Sequence, residues 1–184
     1  MSEALVIIDI QNDYFPGGRM EVAHPEAAAR NAKSLLEAFR NKNKLIVHVQ
    51  HVSEREGAAF FLPGTKGVEI HESVLPTAAE KVIVKHFPNS FRATGLADFL
   101  HGNGIKDITF CGMMTHMCID ATVRAAFDLG FACTVADDAC ATRNLSHGGV
   151  DVPSAKVHAS YMAALAAVYA KVVSSSEIIG QPGI

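Results

Sequence analysis

The feature that most constrains this chain is a rhythm. Apolar runs of strand length recur, "ALVIID" (4–9), "KLIVHVQ" (44–50), "KVIVK" (81–85), "DITFCGM" (107–113), "ACTVADD" (132–138) and "YAKVVSS" (169–175), and segments with helical spacing lie between them. The runs are continuous rather than alternating, which is the pattern of strands covered on both faces.

Between the first two runs, "HPEAAARNAKSLLEAFRNKNK" puts Ala28, Ala32, Leu35, Leu36 and Phe39 on one helical face, with Pro25 in the first turn. After the fourth run, Ile119, Val123, Ala126 and Phe127 share a face, and Gly130 marks the helix end. A last helix from near Pro153 carries Val157, Tyr161, Ala164, Leu165 and Val168 on one side. Strands alternating with helices predict an α/β fold, a mostly parallel sheet with helices on both faces. Ligands of such sheets bind beyond the carboxyl ends of the strands. A length of 184 residues suits one domain, 1–184. Two stretches break the rhythm: 51–80, expected to be a lid or binding loop, and 140–151, a shorter loop of the same kind.

A formal net charge of −3 gives no electrostatic reason for nucleic acid or an anionic membrane as partner, so a small molecule is expected. The opening "MSEALVIIDI" has no basic segment before an apolar run too short to span a bilayer, which predicts a cytoplasmic protein. The four cysteines form no CxxC pair and read as reduced thiols.

Under this fold four strands end in polar residues at the ligand face. The first ends at Asp9, the third at Lys85, the fourth leads through Gly112 and Thr115 to Cys118, and the fifth ends at Asp137 and Asp138. With Thr115 as N-cap, Cys118 falls in the first helical turn, where free N–H groups and the helix dipole favour a thiolate and can hold an oxyanion. A buried structural thiol would suit the same position. Asp9 is either a base for that thiol or the cap of the next turn. Lys85 either orients Asp9 and supports the thiolate or reaches to solvent. His48 and His51 face opposite sides of a strand and do not converge on a metal. His86 and His116 adjoin candidate residues, and Phe15, Phe60, Phe61 and Phe91 either wall a pocket or fill the core.

Three segments, "ALVIIDIQNDYF", "VKHFPNSF" and "GMMTHMCIDATVRAAFDLGF", together resemble the isochorismatase-like cysteine hydrolases, which include nicotinamidases and N-carbamoylsarcosine amidohydrolases. The resemblance implies a three-layer α/β/α fold with a six-stranded, mostly parallel sheet. It implies Asp9 as base, Lys85 as supporting cation and Cys118 as nucleophile. It further implies a cis peptide between Met113 and Met114, an oxyanion hole from the N–H groups of Met114 and Cys118, and a homodimer or homotetramer. Nicotinamidases carry an Asp-x-His metal pair after the second strand, where this chain reads His51 and Ser53; isochorismatases proper lack the cysteine. The expectation is therefore a hydrolase of small amide, carbamoyl or ureido C–N bonds with neither metal nor cofactor, contacting substrate through Gln11, Phe15, Phe91 and His116. A metal-dependent nicotinamidase and a non-catalytic binder are the alternatives.

Overall fold

Six apolar segments pair side by side in a computed structural model of the chain, which describes residues 2–180. Met1 and residues 181–184, the ends of the expected 1–184 domain, lie outside the described residues. The strands are β1 (Glu3–Ile8), β2 (Leu45–His51), β3 (Lys81–Lys85), β4 (Asp107–Met113), β5 (Ala132–Ala141) and, after a hairpin, β8 (Lys171–Val173). They form one sheet in the order β3-β2-β1-β4-β5-β8, and every neighbouring pair is parallel.

Strand β1 shows why its sequence is continuously apolar. Leu5 and Ile7 pack into a core shared with Ala28, Ala32, Leu36 and Phe39 of α1 (Pro25–Asn41) and Ile178 of α5 (Ser175–Ile179). Ala4, Val6 and Ile8 face a second core with Leu96 and Leu100 of α2 (Leu96–Gly102), Val123 and Ala126 of α3 (Asp120–Asp128), and Met162 and Leu165 of α4 (Ser154–Val168). The result is a three-layer α/β/α fold. Each fully buried Leu, Ile or Val contributes about 1.5–3 kcal/mol, so two such layers stabilise the sheet from both sides.

The chain winds outward from β1 through β2 to β3, then crosses to β4 and winds the other way. The topological switch therefore falls between β1 and β4, whose carboxyl ends flank a crevice. At Gly112, with φ of +134°, an added Cβ would lie 1.9 Å from the Ile8 carbonyl oxygen, so only glycine lets β4 lie this close to β1.

Several expectations change. The stretch 140–151 is not a loop: β5 runs on to Ala141, and Leu145–His147 (β6) pairs antiparallel with Val150–Val152 (β7) across Gly148 and Gly149. Both glycines have positive φ, as a two-residue hairpin turn requires. The strand expected over 169–175 is only three residues long, because Ser174 caps α5 in a capping box. Asp137 and Asp138 do not end the fifth strand at the ligand face. They lie where the β4–β5 register shifts, and the Asp138 carboxylate accepts the N–H and hydroxyl of Ser175 at 2.7 and 2.8 Å. On α3 Phe127 is exposed, and on α4 so are Ala164 and Val168, while Met162 is buried. These two helices therefore cover the sheet with narrower faces than their apolar periodicity suggests.

The 51–80 segment is strapped down rather than free. Short 3-10 turns at Lys66–Val68 and Glu72–Val74 give it local order. Asp13 Oδ2 accepts the Phe61 N–H at 2.6 Å, and Asn12 Nδ2 donates to the Lys66 carbonyl at 2.8 Å. At its far end Glu80 binds Arg40 through two nitrogens, at 2.7 and 2.8 Å, and lies 3.0 Å from His48 Nε2.

Candidate active site

The chain leaves β1 at Asp9 by a sharp turn. Its φ is +51°, outside the strand, and its N–H still donates to the Val49 carbonyl at 3.0 Å. This turn puts the carboxylate over the switch point with no solvent exposure. Lys85, the last residue of β3, reaches the same place: Nζ is 2.8 Å from Asp9 Oδ2 and donates to the Pro88 carbonyl at 2.9 Å. Asp9 Oδ1 is buried with no hydrogen-bond partner among the described residues. A buried carboxylate oxygen without a donor is an acceptor waiting for a proton.

Cys118 follows β4. The Met113–Met114 peptide bond is cis, and Thr115–Ile119 forms a π turn before α3 begins. Thr115 is not the N-cap that its type suggests. Met114 takes that place, and the Thr115 hydroxyl donates to the Ala141 carbonyl at 3.3 Å and lies 3.0 Å from His158 Nδ1. The Met114 carbonyl takes the N–H groups of Met117 (3.1 Å) and Ile119 (3.2 Å) and passes over that of Cys118 between them. π turns of this kind are frequent at functional sites because they re-aim such groups.

The electrostatics differ from the expected lowered thiol. Burial, and then the Asp9 anion, push the Cys118 thiol well above its ordinary value, with Lys85 pulling only partly the other way. The helix dipole loses because Sγ is buried beside a carboxylate rather than at an open helix end. Burial would raise the Asp9 carboxyl, but the Lys85 ammonium, backed by His51 and Cys118, outweighs it and holds Asp9 below its usual range. Burial would lower Lys85, and Asp9 with Cys118 more than offsets that. At rest the site is thus thiol, carboxylate and ammonium, with the proton on sulfur and its acceptor alongside.

His51, which strand parity separates from His48, belongs to this cluster. Its Nδ1 is 3.9 Å from Cys118 Sγ and 3.8 Å from Asp9 Oδ2. The signal in the sequence is position: His51 directly follows the apolar run 44–50, and in the structure it pairs with Lys85 at the strand ends from which the site is built. His48 does point elsewhere, to Glu80.

The residues expected to contact substrate do not gather here. Gln11 is fully buried and structural: its Oε1 accepts the His51 N–H at 2.7 Å, and its Nε2 donates to the carbonyls of His51 (2.9 Å) and Val68 (2.6 Å). Phe15 stacks on His71 with ring centroids 3.6 Å apart. Phe91 packs against Phe131 and the second core. His116 Nδ1 lies 2.5 Å from Thr142 Oγ1, and its ring meets Tyr161 edge-on. A cavity of about 460 Å³ instead opens beside His51, walled by Ala58, Ala59, Phe60, Phe87 and Pro88, with Arg55 and His86 also on it. Of the aromatic residues proposed as pocket walls, Phe60 is the one that lines this cavity, while Phe61 is fully buried.

Ligand atoms of Asp9, His51 and Cys118 lie within 4.8 Å of one another, close enough to consider a metal. The Lys85 ammonium, 2.8 Å from Asp9, already supplies the positive charge there and repels a second cation. With that ammonium in place, these three groups do not fit a resident metal ion.

A six-stranded parallel sheet with Asp9, Lys85 and Cys118 at its switch point is the framework of an α/β hydrolytic enzyme. Residues 3–177 match the isochorismatase domain, and the chain belongs to the isochorismatase family of hydrolases. It is 52% identical to isochorismatase family protein YddQ of Bacillus subtilis, over 97% of this chain and 99% of that protein. It is 34% identical to streptothricin hydrolase of Streptomyces noursei, over 83% of this chain and 52% of the relative. Its fold is similar to an isochorismatase-hydrolase crystal structure from Oleispira antarctica, with a TM-score of 0.94 and 47% identity, covering 98% of this chain and 97% of that one.

Proposed function

We propose that this hydrolase is a metal-independent cysteine enzyme that cleaves a C–N bond of a small amide, carbamoyl or ureido substrate through a thioester. The observation that carries the reading is the fully buried Asp9–Lys85 ion pair with the buried Cys118 Sγ within 4.8 Å of an Asp9 carboxylate oxygen. Burying two ions is unfavourable unless they are needed together, and here the pair gives the thiol a proton acceptor that stays ionised at neutral pH.

In this reading Asp9 takes the Cys118 proton as Sγ attacks the substrate carbonyl carbon. The N–H groups of Met114 and Cys118 meet the oxyanion. Asp9 returns the proton to nitrogen as the C–N bond breaks, the amine or ammonia leaves, and water cleaves the thioester to restore the thiol. Keeping the thiol neutral until substrate arrives also keeps a buried anion pair from forming at rest. No helix among the described residues is long and apolar enough to cross a membrane. We keep with this reading a cytoplasmic setting, supported by four cysteines that are all free. A homodimer or homotetramer is supported by the apolar side chains of Phe127, Leu129 and Val168 that remain exposed.

The test is a screen of small amides, carbamates and ureides for ammonia or amine release by the wild type, Cys118→Ala and chelator-treated wild type. The expected result is turnover that survives chelation and disappears in Cys118→Ala. Full activity in Cys118→Ala, or loss on chelation with recovery on adding metal back, would overturn it.

A further inference from the structure

We infer that His51 is a further catalytic residue of this site, the base that activates water to hydrolyse the Cys118 thioester. The inference rests on the cysteine-hydrolase reading and concerns its second half-reaction.

Three observations carry it. His51 Nδ1 is 3.9 Å from Sγ, the atom that would bear the acyl group. A water bonded to Nδ1 at about 2.6–3.2 Å would therefore stand beside a carbonyl carbon one bond beyond Sγ. Among the three ionisable side chains around Sγ, His51 alone is open to solvent and to a cavity: its side chain is 13% exposed and lines the 460 Å³ cavity, whereas those of Asp9 and Lys85 are 0% exposed. Finally, the residue is pre-positioned. Gln11, itself fully buried, grips both the N–H and the carbonyl of His51 and ties them to the Val68 carbonyl, and a buried amide held at these points fixes the backbone from which the ring projects. His51 Nε2 has no hydrogen-bond partner in the protein among the described residues, so no contact on that side fixes the tautomer, and Nδ1 serves as the base whenever the ring proton sits on Nε2.

The step balances as follows. Water oxygen bonds to the thioester carbon as one of its protons moves to Nδ1. The tetrahedral intermediate collapses with cleavage of the C–S bond, the electron pair returns to sulfur, and the proton on Nδ1 passes across to Sγ. The products are a carboxylic or carbamic acid and the resting thiol.

The experiment uses p-nitrophenyl acetate, an activated acyl donor that can load Cys118 whatever the natural amide, with His51→Gln and His51→Asn in the full chain. Expected is a burst of one nitrophenolate per subunit, followed by turnover about 100-fold or more below wild type. A one-acetyl mass increase on Cys118 should persist, and hydroxylamine, which attacks thioesters without a base, should restore turnover. Variants that turn over within a few-fold of wild type, or that lose the burst together with turnover, would overturn the inference. The underlying reading fails separately if the wild type shows no burst or Cys118→Ala keeps one.

Discussion

Replacing Lys85 with methionine keeps most of its hydrocarbon volume and removes its charge. In the wild type Nζ and Asp9 Oδ2 are 2.8 Å apart with no solvent exposure on either side chain. At that distance, with an effective dielectric constant of about 20, their attraction is about 6 kcal/mol, largely offset by desolvation of the two ions. Removing one partner leaves the other as a buried unpaired charge and costs about 3–5 kcal/mol. Lys85→Met should lose that much at pH 7.5, in urea unfolding with an unchanged slope. Asp9→Asn/Lys85→Met, which buries no charge, should lose less than the sum of the two single variants by about 1–3 kcal/mol.

The pH dependence separates this account from a packing loss. In the wild type the Asp9 carboxyl is held below 3.8, so its contribution to stability is present above pH 3.8 and is lost as pH falls through the lower folded value. In Lys85→Met burial acts without its main counterweight and the folded carboxyl rises above 3.8. The folded variant then binds a proton more readily than the unfolded chain, and it gains stability on acidification through that window. The deficit against wild type must therefore shrink between pH 7.5 and pH 5. A deficit that stays constant with pH, or one under about 1 kcal/mol at pH 7.5, would refute the reasoning.

Three further outcomes follow from particular contacts. Burial would raise the Glu80 carboxyl, but Arg40, helped by the Thr77 N–H and His48, outweighs it and holds Glu80 at about 2, so its contribution is present above pH 4.5 and lost between pH 4.5 and 2. Glu80→Gln should lose about 1–3 kcal/mol at pH 7, discounted for the one-third exposure of Arg40, and flatten that acid limb in a urea-midpoint series. Gly112→Ala should cost more than about 4 kcal/mol or fail to yield soluble protein, since its Cβ would meet the Ile8 backbone; a melting temperature near wild type would contradict the packing described. Cys118 should react with iodoacetamide more slowly at pH 7.5 than a free cysteine, because burial and Asp9 raise its thiol. Fast alkylation mapped to Cys118 by peptide mass would show a preformed thiolate instead.

The sheet was legible because its signal is local. Leu5 and Ile7 alternate with Val6 and Ile8 toward two different cores, and a strand buried on both faces leaves an unbroken apolar run. Asp9, Lys85 and Cys118 were legible for a related reason: strand ends at a switch point converge by topology, so counting to the end of each run finds them. What the sequence could not show depends on contacts between distant segments. Gln11 reads as a substrate ligand until the 51–80 segment folds back and supplies the carbonyl of Val68, and only then does its amide become the clamp on His51. His51 itself was half legible. Strand parity set it opposite His48, but what that face touches depends on β2 lying between β1 and β3, and no local pattern states that order. The thiol shows the sharpest limit. Position at a helix start argues for a lowered value, yet the outcome is decided by how deeply Sγ is buried and by the carboxylate beside it. Both are properties of the assembled switch point, which is why the chain's most reactive candidate rests as its protonated form.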